Sequence, residues 1–122
     1  MMPRPAVPAL YPLTLPETWQ PLPPAADDAA ELFARAARAY HEGRFVDAGE
    51  HFLTAARLLL DTSDPDLPDL SGARTVCYVD AVLAALAAGR TTWIDEVLRW
   101  VADHDPTCSA AVMELVDRLR LP

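Results

Sequence analysis

The chain of 122 residues contains no lysine and no asparagine, and it has only four glycines and one isoleucine. Such a composition supplies few of the residues that strands and tight turns favour. Alanine accounts for much of the 52% hydrophobic fraction, and alanine is the residue that most favours helix. The composition therefore predicts an all-α protein, and the length suffices for one domain with a modest core.

Positive charge is also scarce, because ten arginines oppose 18 acidic residues and the formal net charge is −8. Nucleic-acid-binding proteins present a basic surface, so we expect no nucleic-acid partner. A partner protein with a basic surface fits this charge balance better. An alanine-rich chain with arginine as its sole basic residue is typical of GC-rich bacterial coding, which indicates a bacterial source.

Cysteine is too rare for a disulfide framework or a zinc site, since only Cys77 and Cys108 are present and they lie far apart. We expect both to be buried or half-buried thiols in a reducing cytoplasm. No apolar stretch is long enough to cross a membrane, and prolines interrupt the N-terminal segment where a secretory signal would lie. The sequence therefore predicts a soluble cytoplasmic protein without a membrane partner.

Catalytic motifs are missing from the sequence, which has no G-x-S-x-G, P-loop, Rossmann or H-E-x-x-H pattern. His41 and His51 fall on different predicted helices, and His104 is remote from both. An acidic loop at 61–72 lacks the central glycine and terminal glutamate of a calcium-binding loop. We therefore expect a non-enzymatic protein without a cofactor or metal. A metal-responsive or ligand-responsive regulator that uses His41, His51 and the acidic loop is the alternative.

Proline is concentrated at the N-terminus, where residues 1–25 hold eight of the twelve prolines. Proline fixes φ and lacks a backbone N–H, so this segment is predicted to be extended rather than helical. Its apolar side chains are unusual for a disordered linker. These side chains define a docking arm: Leu10, Tyr11, Leu13, Leu15, Trp19 and Leu22. We expect the docking arm to lie on its own helices or on another protein, with a flexible arm as the alternative.

Residues 26–122 are predicted to form one helical domain. Apolar residues recur there at helical spacing in five segments. Asp27 or Asp28 can cap the first helix, and Gly43 and Gly89 can end the first and third. The predicted helices are 28–42, 45–60, 73–88, 92–103 and 109–120.

The first two predicted helices resemble a tetratricopeptide repeat, a helix–turn–helix unit of about 34 residues. The residues that carry the resemblance are Leu32, Ala36, Gly43, Phe45, Ala48, Phe52 and Ala55. Tyr40 lies one position beyond the usual aromatic residue of the family, and no proline follows Leu60 where the family has one.

The hairpin pattern occurs twice in the chain. Gly89-Arg90 repeats Gly43-Arg44 after 46 residues, and the acidic loop at 61–72 accounts for the excess over the family's repeat length. A last helix with a polar outer face would close such a stack. The resemblance therefore implies two tetratricopeptide-like units and a C-terminal capping helix in an α–α superhelix. An ordinary five-helix bundle is the alternative.

Tetratricopeptide domains usually bind peptides in the groove lined by the first helix of each unit. The resemblance implies such a first-helix face in this chain: Phe33, Ala37, Tyr40, His41, Val76, Val79, Asp80, Leu83 and Leu86. This face lacks the lysine and asparagine residues with which family members hold a C-terminal carboxylate. Trp93 and Trp100, seven residues apart, would form an interface anchor if they were exposed. Core packing is the alternative for both sets.

We therefore expect an adaptor that captures an apolar segment of another protein through the first-helix face. The alternative is a structural subunit of a larger assembly, in which the docking arm lies on a neighbouring chain. A homo-oligomer is compatible with either function.

Overall fold

The structure, a computed structural model, describes residues 27–61 and 70–120, with side chains as far as Arg118. Within these ranges the regular elements are all α-helices. The five helices are α1 (Asp27–His41), α2 (Phe45–Asp61), α3 (Ser71–Ala87), α4 (Thr91–His104) and α5 (Pro106–Arg120). The predicted all-α fold is confirmed. The docking arm and most of the acidic loop lie outside the described residues.

α1 and α3 end in the same kind of turn. In each turn a glycine has positive φ, 83° at Gly43 and 72° at Gly89. The backbone N–H of the next residue, Arg44 or Arg90, donates to a carbonyl five residues back, at 2.8 Å and 2.9 Å respectively. This hydrogen bond belongs to a Schellman motif, which ends a helix on a residue that can adopt positive φ. The repeated Gly-Arg pair therefore makes the same turn twice.

α3 is the central helix of the domain. It packs against α2, α4 and α5, and α2 also packs against α1. All residues from Val76 to Ala85 are buried, and a helix that is apolar nearly all round belongs in a core. α3 therefore sets the position of α4 and α5 relative to the α1–α2 hairpin.

The α1–α2 interface combines small and aromatic side chains. Ala48 and Ala55 on α2 are fully buried, and their small size lets a neighbouring helix approach closely. The rings of Phe33 and Phe52 meet edge to face, with 5.2 Å between their centroids. Such a pair stabilises a core by about 0.5–1.5 kcal/mol beyond its buried area.

α5 begins at Pro106, three residues before the predicted start. Proline suits the first turn of a helix, where its missing N–H would have no intrahelical acceptor. The carbonyl of Asp105 accepts the first hydrogen bond, from the backbone N–H of Cys108 at 3.0 Å. Cys108, Val112 and Val116 recur at a spacing of four and are buried, so one face of α5 closes the core.

Candidate functional site

α2 and α4 each present one line of side chains to a shared groove. On α2 the spacing of four, three and four residues places its line on a single helix face. Two cavities of about 340 Å³ and 170 Å³ run along the groove, and Trp93 and Glu96 line both. We call this feature the α2–α4 groove. Its lining residues are Val46, Glu50, Leu53, Arg57, Arg90, Thr92, Trp93, Glu96, Val97 and Trp100.

Trp93 lies against the backbone of α2 because residue 49 is glycine. A Cβ atom added at Gly49 would lie 2.5 Å from Cη2 and 2.8 Å from Cζ3 of Trp93. Both distances are shorter than any van der Waals contact between carbon atoms. The missing side chain therefore leaves the space that the indole occupies, and through this ring α4 contacts α2.

Trp100 contacts residues from three different elements at the other end of the groove. The guanidinium carbon of Arg57 lies 5.1 Å from the centre of the Trp100 ring, within the range of a cation–π contact. The imidazole of His104 stacks on Trp100 with 4.6 Å between ring centroids. The ring of Tyr78 lies 6.0 Å away. These contacts fix the orientation of a side chain that is only half-buried.

Several charges in the α2–α4 groove have no ion-pair partner among the described residues. Glu50, Glu96 and Arg90 are exposed, and none of them forms a salt bridge there. Some exposed charges elsewhere pair within their own segments, whereas others, such as Arg38, Arg99 and Asp103, also form no salt bridge among the described residues. The exposed pairs are Glu31 with Arg35, Glu42 and Asp47 with Arg44, and Glu114 with Arg118. The groove therefore offers charge that a partner could neutralise.

A buried polar cluster joins α3 to the junction between α4 and α5. Nε of Arg74 donates to Oδ2 of Asp105 at 2.7 Å, and the Tyr78 hydroxyl donates to the same oxygen at 2.9 Å. All three residues are buried, with Arg74 7% and Asp105 2% exposed. The carboxylate thus satisfies two donors on neighbouring turns of α3. The cluster fixes where α4 ends and α5 begins, and so supports the wall of the groove.

Both cysteines are buried, as predicted from the sequence, and neither forms a disulfide. Burial raises the pKa of Cys77 well above its ordinary value of 9.0, and the nearby charge of Asp80 raises it further. Burial also raises the pKa of Cys108, whose thiol donates to the Ser71 carbonyl at 3.5 Å. A thiol that keeps its proton is a poor nucleophile.

The raised thiol pKa values predict a loss of stability in alkali. Above about pH 9 the unfolded chain releases thiol protons that the folded chain retains, so unfolding becomes easier as pH rises. The free energy of unfolding falls by up to about 1.4 kcal/mol per pH unit for each such group. Urea denaturation at about pH 7 and about pH 10.5 should show a smaller fall for Cys77→Ala than for the wild type. An equal fall in the two proteins would contradict this explanation.

The first-helix face is mostly buried. Its buried members are Phe33, Tyr40, Val76, Val79, Asp80 and Leu83, its half-buried members are Ala37 and Leu86, and His41 is exposed. Tyr40 packs its ring against Phe45 at 5.5 Å and against His41 at 5.8 Å. α1 and α3 are joined through α2 rather than packed closely on each other. The partner-binding role of this face stays a prediction, and it requires these side chains to become accessible.

Two further observations bear on binding. In the described part of the chain, no group of three or more His, Cys, Asp or Glu residues could hold a metal ion. Among the same residues, no helix has both the length and the apolar character needed to cross a membrane. The regulator built on His41, His51 and the acidic loop stays a prediction, because most of that loop is outside the described ranges.

No family model, no curated protein and no solved structure matches this chain. The resemblance to tetratricopeptide repeats therefore stays a prediction that is based on the residues quoted above.

Proposed function

We propose that this protein is a non-enzymatic adaptor that binds an apolar segment of a partner protein in the α2–α4 groove. The observation that carries the proposal is the pair of half-buried tryptophans, Trp93 and Trp100, on one wall of that groove. Tryptophan is strongly enriched among residues that dominate binding energy at protein interfaces. An extended groove between two helices is also a common site for a helical or extended peptide.

The groove is a better candidate surface than the first-helix face because more of its apolar area is accessible. Leu53, Trp93 and Trp100 are each half-buried, whereas Tyr40 and Leu83 are fully buried or nearly so. A side chain that is already buried in the free protein gains little further burial when a partner binds. The first-helix face remains the second candidate surface.

The walls of the groove are held in place before any partner binds. Trp93 packs on Gly49 of α2, and the bond between Arg74 and Asp105 ties the end of α4 to α3. Preorganised walls reduce the entropy that is lost on binding. A groove with accessible aromatic rings supports a role in recognition, and the buried thiols argue against a cysteine nucleophile.

Site-specific photo-crosslinking in the native host tests this proposal. A benzoylphenylalanine residue replaces Thr92 in the groove, His41 on the first-helix face, or Met113 on α5, which is 48% exposed. All three positions are exposed, so none of the replacements should unfold the protein. We expect a covalent adduct of one mass from position 92 and none from position 113. Adducts from position 41 alone would move the binding surface to the first-helix face.

A further inference from the structure

Two carboxylates face one cavity from opposite helices. Glu50 on α2 and Glu96 on α4 both line the larger cavity of the α2–α4 groove, and Trp93 lies in the same wall as Glu96. Both glutamates are exposed and have no ion pair within the described ranges. Among the described residues, Arg90 is the one basic side chain that lines this cavity, so the described charged groups there carry a net charge of −1. An aromatic ring beside two carboxylates is a favourable environment for a cation.

The other end of the groove already holds such a contact within the chain. There the Arg57 guanidinium lies over the Trp100 ring at 5.1 Å. No described arginine makes the same contact with Trp93. The larger cavity is therefore lined by the Trp93 indole and by the carboxylates of Glu50 and Glu96, which form no ion pair among the described residues.

We propose that the α2–α4 groove recognises a basic side chain of the partner segment, an arginine or a lysine, which lies against Trp93 between Glu50 and Glu96. This inference rests on the proposed function, because it specifies the chemistry of the segment that the groove binds. Charge complementarity supports a basic side chain as the ligand, because both the cavity and the chain as a whole carry net negative charge. Apolar residues beside the basic one would contact Leu53 and Val97 further along the groove.

Charge disfavours a symmetric dimer that pairs the α2–α4 groove with itself. In a symmetric dimer the same patch faces itself, so the centre of the groove would meet its own copy. Glu96 lines both cavities and therefore lies at that centre. Like charges that face each other across an interface oppose association. A segment of a different protein avoids this repulsion, and it is the occupant that we propose.

Selection from a random peptide library tests the inference. The full-length protein is the bait, and each selected peptide is then measured against the wild type and the Trp93→Ala variant. We expect the peptides that depend on Trp93 to be enriched in arginine or lysine next to large apolar residues. Their affinity should fall with increasing salt.

Two charge-removing variants then locate the contact. Glu50→Gln and Glu96→Gln should each lower the affinity for a selected basic peptide at least about tenfold, a loss typical of one interfacial charge pair. Glu114→Gln on α5 is the matched control, because it removes an exposed carboxylate outside the groove and should leave the affinity unchanged. Circular dichroism checks that all variants remain helical.

The outcomes separate the two proposals. Peptides that depend on Trp93 but carry no basic enrichment would overturn this inference and leave the proposed function standing. Basic peptides that bind the Glu50→Gln and Glu96→Gln variants as tightly as they bind the wild type would also overturn it. A selection that yields no peptide sensitive to Trp93→Ala would overturn both the inference and the groove as a binding surface.

Discussion

Replacement of Asp105 with alanine should lower the free energy of unfolding by about 3–5 kcal/mol, the typical cost of removing one partner from a buried ion pair. The variant leaves Arg74, a residue that is only 7% exposed, without its charged partner. It also removes the acceptor for the Tyr78 hydroxyl. Urea denaturation followed by circular dichroism measures the loss.

Two variants serve as controls for Asp105→Ala. Glu114→Ala breaks the exposed pair with Arg118 and should cost less than about 1 kcal/mol, because solvent screens surface pairs. Replacing Arg74 with methionine together with Asp105→Leu removes both charges and should recover much of the lost stability. If Asp105→Ala costs no more than Glu114→Ala, the buried cluster does not hold α3 to the α4–α5 junction.

Replacement of Gly49 with alanine should destabilise the protein by about 1–3 kcal/mol, the usual cost of overpacking a well-packed site. Alanine is normally preferred over glycine inside a helix by about 1 kcal/mol, so a loss of stability here would be opposite in sign to the intrinsic preference. The reason is steric, since the new Cβ would lie 2.5 Å from Cη2 of Trp93. The indole must then move away from α2.

A double-mutant cycle isolates this steric effect. In the Trp93→Ala background the clash is absent, so Gly49→Ala should stabilise the protein by about 0.5–1 kcal/mol through its helix preference. The coupling between the two positions, the difference between these two effects, is then about 1.5–4 kcal/mol. Thermal unfolding of the four proteins measures it. If Gly49→Ala has the same effect on stability in both backgrounds, the Trp93 ring does not pack against α2 at Gly49.

The helices were predictable because their signals are local. Apolar spacing located all five of them, and the glycines at 43 and 89 ended two of them where a residue with positive φ is required. The start of α5 was predicted three residues late. Pro106 can begin a helix, but the sequence does not show that the preceding Asp105 turns inward to a buried arginine.

The candidate site was only partly predictable because it depends on contacts between distant segments. The spacing of Trp93 and Trp100 indicated one helix face, and the structure places that face against α2. Gly49 carried a usable signal, since glycine inside an amphipathic helix is costly unless a neighbour needs the space. Arg74 and Asp105 are 31 residues apart, and no local pattern connects them.

Chemical-shift mapping tests the α2–α4 groove most directly as the binding surface. The isotope-labelled full-length protein is titrated with the tightest peptide from the library selection, and backbone amide shifts are followed residue by residue. We expect the largest shifts to cluster at 46–57 and 90–100, with small changes at 33–41 and 76–86. Shifts concentrated at 33–41 and 76–86, with an unperturbed groove, would contradict this expectation.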